Sequence, residues 1–199
     1  MFMIQTNELT EESTAANGDK QAARPTRISE YVIPGEDQVV VRYTRSIPDP
    51  ETFHDLIGVG KKTDLPPYLQ AVFIRIDGKT EIVFGDARNH YEIVRAIEHE
   101  KGRTRFAWGQ VQIDVDRESV KLKKIGLQGS FGKAEENLRL LLGRINPQLF
   151  VPQEIPIGIW TTLGSYIYDP LNRELKEKAV GIVEGKTVLR PLGSVKPLY

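Results

Sequence analysis

The sequence predicts an α+β fold: an antiparallel sheet built from β-hairpins, two main helices on one face, and a polar N-terminal arm. Three observations carry that prediction. Apolar and polar residues alternate on both sides of short turn sequences, the pattern of a half-buried hairpin. Two other stretches repeat apolar residues three and four apart, the pattern of a helix face. The order strand, turn, strand, helix also occurs twice, over 71–100 and 110–146, which points to tandem ββα units joining four strands into one sheet.

Residues 1–29 are rich in Thr, Glu, Ala, Asn and Gln and poor in large apolar side chains. Such a segment cannot bury enough surface to offset its ordering entropy, so it is read as an arm that only a partner or sibling subunit would order. Tyr31–Thr44 is the first hairpin, turning at Pro34-Gly35-Glu36-Asp37. The prolines between Ser46 and Pro67 then punctuate the chain, leaving room for one short helix over Glu51–Leu56 that starts at Asp49 or Pro50.

Ala71–Phe84 is the strongest hairpin signal. Val72, Ile74 and Ile76 alternate with Phe73 and Arg75, and Asp77-Gly78 is a favoured two-residue turn. A helix follows from about Arg88 to Glu100. Asn89 and Glu92 have capping-box spacing, Ile93, Val94 and Ile97 make its apolar stripe, and Gly102 stops it. Gln110–Val115 alternates again, and the return strand directs Val120 and Leu122 inward and Ser119, Lys121 and Lys123 outward. Lys124 breaks that alternation, as a bulge or a strand end would. Leu138, Leu141, Leu142 and Ile145 form the second helix stripe, closed by Asn146-Pro147.

In the tail, Ile155, Ile157, Ile159 and Trp160 read as a buried strand and Leu171–Lys178 as a short charged helix. Ala179–Val183 and Thr187–Arg190 form a last hairpin, which extends the sheet or pairs with the one at 31–44. The chain thus divides into the arm, 1–29, and one α+β domain, 30–199. The domain contains the first hairpin and proline-rich connection (31–70), the two ββα units (71–146) and a C-terminal hairpin extension (147–199).

Composition narrows the function classes. At 199 residues and 40% hydrophobic content, one domain with a real core is expected. Lys plus Arg and Asp plus Glu are each 27, so bulk charge does not hold this chain to nucleic acid or membrane. With no cysteine, disulfides, thiolate nucleophiles and Cys-based metal sites are excluded. The N-terminus has no apolar signal core, and no run reaches the roughly 20 residues a membrane helix needs, so a cytoplasmic location is expected.

Charge is uneven locally: ten Lys/Arg face five Asp/Glu between Lys101 and Arg144. Lys121, Lys123 and Lys124 lie along one strand with Gln110 and Gln112 as polar neighbours, and Lys133 adds to them. Lysines supply phosphate contacts and glutamines hydrogen-bond sugar or base, so these six residues are the candidate nucleic-acid face. Phe106, Trp108 and Phe131, nearby in sequence, are aromatics that could stack on bases. A solvated sheet face is also commonly Lys-rich, because lysine guards against edge pairing.

Other motifs fail on inspection. Gly126, Gly129 and Gly132 precede Lys133 and a helix, but the spacing is wrong for a phosphate loop, Ala134 follows the lysine, and Glu135 and Glu136 would repel an anion. Gly58-Val59-Gly60-Lys61-Lys62-Thr63 lacks the upstream glycine and runs into Pro66-Pro67, so it is a surface loop. Pro48-Asp49 followed by Asp77-Gly78-Lys79 resembles the acidic pattern of metal-dependent nucleases, in which Asp49 and Asp77 would hold Mg²⁺ and Lys79 would position water. Here, however, the hairpin turn already accounts for Asp77-Gly78. His90 and His99 fall on roughly opposite faces of one helix, and no G-x-S-x-G elbow is present.

No catalytic or metal residue and no cofactor is assigned from sequence. The function expected is a non-catalytic interaction or assembly protein, whose arm and hairpin edges contact a partner or sibling subunit and whose basic face contacts nucleic acid. The alternatives are a phosphodiesterase using Asp49, Asp77 and Lys79, and a sequence-nonspecific nucleic-acid binder.

Overall fold

The computed structural model describes residues 28–35, 39–58, 68–76, 78–102, 107–116, 119, 121–128, 134–150, 157–161, 164–183 and 186–199. The expectations for most of the arm, the 36–38 turn, the 59–67 loop, Asp77, Phe106 and 129–133 lie outside them. In chain order the elements are β1 (Ser29–Ile33), β2 (Val39–Thr44), α1 (Pro50–Ile57), β3 (Tyr68–Ile76), β4 (Lys79–Asp86), α2 (His90–Lys101), β5 (Ala107–Asp116), β6 (Lys121–Gln128), α3 (Ala134–Gly143), a 3-10 turn (Pro147–Leu149), β7 (Ile157–Thr161), β8 (Gly164–Asp169), β9 (Glu174–Val183) and β10 (Lys186–Ser194). The strands form one sheet in the order β1-β2-β4-β3-β5-β6-β7-β8-β9-β10. Every neighbouring pair is antiparallel except β6 and β7.

The α+β class and the hairpin-built antiparallel sheet follow from local chemistry. Ile76 pairs with Lys79 across the two-residue turn, and Gly78 has φ 78°, a left-handed conformation that glycine adopts without a Cβ penalty. The Asp49 side chain accepts a hydrogen bond from the Thr52 N–H at 2.6 Å and Pro50 takes the first helical position, so α1 starts where the sequence indicates. Asn89 caps α2 by accepting from the Glu92 N–H at 3.3 Å. Glu92 then accepts from the Arg88 backbone N–H at 3.0 Å and from its guanidinium at 2.8 Å, which ties the helix start to the end of β4.

The placement of the helices differs from the expectation. Leu69, Ala71 and Phe73 of β3 join one core with α1 (Phe53, Leu56, Ile57) and α3 (Leu138, Leu141, Leu142). Val72 and Ile74 point the other way and join a second core with Ile93, Val94, Ala96 and Ile97 of α2. The two strand–strand–helix units are present, β3–β4–α2 and β5–β6–α3, but their helices lie on opposite faces of the sheet rather than on one.

Chain handedness accounts for the split. The helix α2 carries the chain from β4 over β3 to β5, and α3 carries it from β6 to β7. Both steps move the same way across the sheet and join parallel strands, yet β4 and β6 run in opposite directions. Such crossovers are right-handed in nearly all proteins, and reversing the strand while keeping the lateral step moves a right-handed crossover to the other face.

Burial along the strands follows. Ala71, Val72, Phe73 and Ile74 are all buried, as are Ile82, Val83 and Phe84, because both faces of the β3–β4 region are covered. In β5, Val111, Ile113 and Val115 are buried whereas Gln112 is exposed, because only the α1/α3 face is covered there.

After α3 the chain is fastened to the α1 connection. Ile47 N–H donates to the Arg144 carbonyl and Asn146 N–H to the Ile47 carbonyl, both at 2.8 Å, and the Asn146 side chain donates to the Pro48 carbonyl at 2.6 Å. The Leu171–Lys178 segment is not a helix. The Asp169 carboxylate accepts from the Leu171 and Asn172 N–H groups and closes a turn, and β9 begins at Glu174. Leu175 is buried opposite Tyr168, so pairing with β8 overrides the helical bias of the charged run. The last hairpin extends the sheet beyond β8, far from the 31–44 hairpin at the other end.

Candidate functional site

The basic strand is β6, and its geometry is more balanced in charge than its sequence. Asp114 pairs with Lys124 and Val115 with Leu122, so Lys123 is the extra residue of a β-bulge. The interruption expected at Lys124 is this bulge, one residue earlier. Lys123 reaches Asp116 of β5 at 3.0 Å, and Lys121 donates to the Gln148 carbonyl at 2.6 Å. Lys124 is exposed directly across from Asp114. Gln112 is exposed on β5, and Gln110 pairs with Gln128. Lys133 lies outside the described residues. The structure thus brings Lys121, Lys123, Lys124, Gln110 and Gln112 onto two adjacent strands, and it adds Asp114 and Asp116 to them.

Gly126 is not in a loop. It lies within β6, paired with Gln112 on one side and Trp160 on the other. Antiparallel pairing with β5 carries β6 on to Gln128, two residues beyond Gly126. Asp49 is occupied in capping α1, and Lys79 is exposed at the start of β4, on the return strand as expected. Among the described residues no three His, Asp or Glu side chains cluster in a way that could hold a metal ion. His99 stacks on Tyr31 with centroids 4.6 Å apart, and His90 lies against Tyr91 at 4.1 Å.

A different region has the shape of a binding surface: the β1 end of the sheet. An unpaired edge strand is a template for another strand unless it is protected. The opposite edge, β10, is protected. It has bulges between Thr187 and Leu189 and between Pro191 and Gly193, it contains Pro191, and it carries Lys186 and Arg190. The five residues of β1 contain no proline, and their pairing with β2 is regular. Val32 is 51% exposed on one face of this edge and Tyr91 of α2 is 59% exposed on the other.

Between β1 and α2 lies a groove of about 640 Å³, floored by Ile33 and Val94 and walled by Tyr91, Arg95 and Glu98. Tyr91, Arg95 and Glu98 recur at helical spacing on the flank of α2 away from its buried stripe. Sequence reasoning did not single out this row. Its signal was an aromatic residue among charges on the polar side of a helix bounded by Asn89 and Gly102.

The C-terminal end of α2 is held by polar contacts. Arg45 reaches Glu100 at 2.7 Å and Glu81 at 3.4 Å, and the Tyr43 hydroxyl donates to Glu100 at 3.2 Å. Burial, reinforced by the Glu100 carboxylate, pushes the Tyr43 phenol above its usual pKa. These contacts fix the groove wall relative to β2. Among the described residues no helix is long and apolar enough to cross a membrane. Comparison of the chain with family models, curated proteins and solved structures finds no match.

Proposed function

We propose that this chain is a non-catalytic interaction or assembly protein that uses a sheet edge to contact a partner or a sibling subunit. The observation that supports this reading is the difference in regularity between the two edges: β10 is interrupted by two bulges and contains a proline, whereas β1 pairs without interruption and contains none. Strand addition draws affinity from backbone hydrogen bonds and specificity from adjoining pockets, and the α2 groove is such a pocket. The Lys121, Lys123 and Lys124 strand is the proposed place for nucleic acid. Asp114 and Asp116 beside it offset part of the lysine charge and make that contact weak. A cytoplasmic location is part of the same proposal.

Size-exclusion chromatography with light scattering on the full chain, with and without nucleic acid, tests the reading. The expected result is self-association, or a shift in mass when a partner is added. A monomer that captures neither protein nor nucleic acid at low salt would remove the basis for it.

A further inference from the structure

We infer that the surface formed by β1 and the Tyr91–Glu98 flank of α2 is a twofold interface for a second copy of this chain; the inference rests on the assembly reading above. Three observations select that occupant. The first is the edge itself. An antiparallel strand pair is compatible with a twofold axis normal to the sheet, so two β1 strands can join their sheets without any other sequence being present.

The second is charge. Arg95 and Glu98 are exposed, one turn apart on the same flank, and among the described residues neither is ion-paired. Opposite charges in this arrangement are complementary to their own copy: under a twofold axis each Arg95 meets the Glu98 of the other chain, and the reverse.

The third is alignment. Tyr31 stacks on His99, while Ile33 shares the groove with Tyr91 and Val94, so α2 runs antiparallel to β1. Val32, between Tyr31 and Ile33, is then level with the Arg95–Glu98 turn. One axis at Val32 serves both contacts. It pairs Val32 with its own copy along the strand, and it brings Arg95 opposite Glu98 along the helix. The exposed Val32 and Tyr91 are covered in the process, one on each face of the joined sheet.

The experiment is a charge swap read by light scattering and sedimentation. Arg95→Glu and Glu98→Arg are both surface changes, and circular dichroism of each variant confirms the fold. Each single variant places like charges together twice per dimer, and its dissociation constant is expected to rise by about tenfold or more. Mixing the two variants one to one is expected to restore a dimer, because every pair then has opposite charges. The double variant Arg95→Glu/Glu98→Arg is expected to dimerise like the parent.

A parent dimer that neither single swap weakens would overturn this interface while leaving the assembly reading in place. So would a mixture that dimerises no better than its components. A parent chain that stays monomeric at every concentration tried overturns the inference outright. The assembly reading is then decided separately, by capture of a different protein.

Discussion

Gly85→Ala tests the packing of α2 directly. Gly85 sits on β4 opposite Tyr43, and a Cβ built there would lie 2.7 Å from both Cγ1 and Cδ1 of Ile93 and 3.3 Å from the Arg42 carbonyl oxygen. Carbon atoms pack best at about 3.5–4.0 Å, so roughly 1 Å of relief is required. Neither side yields easily. Ile93 is fully buried in α2, and β4 is held between β2 and β3. Overpacking of this kind costs about 1–3 kcal/mol, against about 0.5–1 kcal/mol regained by replacing a strand glycine. The net expectation is about 1–2 kcal/mol of destabilisation.

Ile93→Ala removes both clashing carbons and itself costs about 2–5 kcal/mol. In that background Gly85→Ala meets a void, and its effect should change sign, to about 0.5–1 kcal/mol stabilising. Urea unfolding of the four proteins, followed by far-ultraviolet circular dichroism, measures the cycle. If Gly85→Ala has the same effect in both backgrounds, α2 does not rest on β4 at this point and the two-faced sheet is wrong.

Three further predictions follow from the same geometry. Burial of Tyr168 pushes its phenol up to about 12, against an unfolded value of about 10. Its contribution is therefore fully present below about pH 10 and is lost as pH rises towards 12, a decline of about 2–3 kcal/mol that denaturant midpoints across that range would show. The Leu198 N–H donates to the Gly143 carbonyl at 2.6 Å, and Gly143→Ala should displace the Lys196–Leu198 segment without melting α3, because a Cβ there would lie 2.8 Å from the Lys196 carbonyl oxygen and 3.0 Å from Leu198. Faster carboxypeptidase release with retained helix content is the expected outcome, and unchanged release would contradict it. Lys121→Ala with Lys123→Ala should leave stability within about 1 kcal/mol and flatten the salt dependence of any nucleic-acid binding by about 1–2 log units per log unit. Binding that is absent at low salt in the parent chain would end that reading.

Much of the fold was legible because its signals are short-range. The Ile76–Lys79 hairpin closure at Gly78, the Asp49-Pro50 helix start and the Asn89 cap each depend on residues within four positions, and the chain uses all three. The double coverage of β3 and β4 was also legible in the runs Val72-Phe73-Ile74 and Ile82-Val83-Phe84, which alternate for no single face. Reading the first as a simple alternation concealed the second helical layer. Leu171–Lys178 misled for the opposite reason: its charged residues favour a helix in isolation, but buried Tyr168 and Leu175 pair across strands. The candidate lysines were found, whereas the acidic residues beside them were not assigned to the same surface. Alternation along β5 already places Asp114 and Asp116 on the face of Gln110 and Gln112; the bulge at Lys123 decides only that Lys124 stands opposite Asp114.

By itself the sequence determined where most strands and helices lie up to α3, which residues are apolar enough to be buried, and which chemistries are excluded for want of cysteine. Those properties are set by turn geometry, capping and side-chain period, all local. Only the tertiary structure decided that α2 and α3 take opposite faces, that β1 and β10 are the two end strands among the described residues, and that Arg95 and Glu98 stand beside β1. Each depends on strand order across the sheet. Strand order comes from pairings between distant residues and from crossover handedness, which no short window of sequence contains.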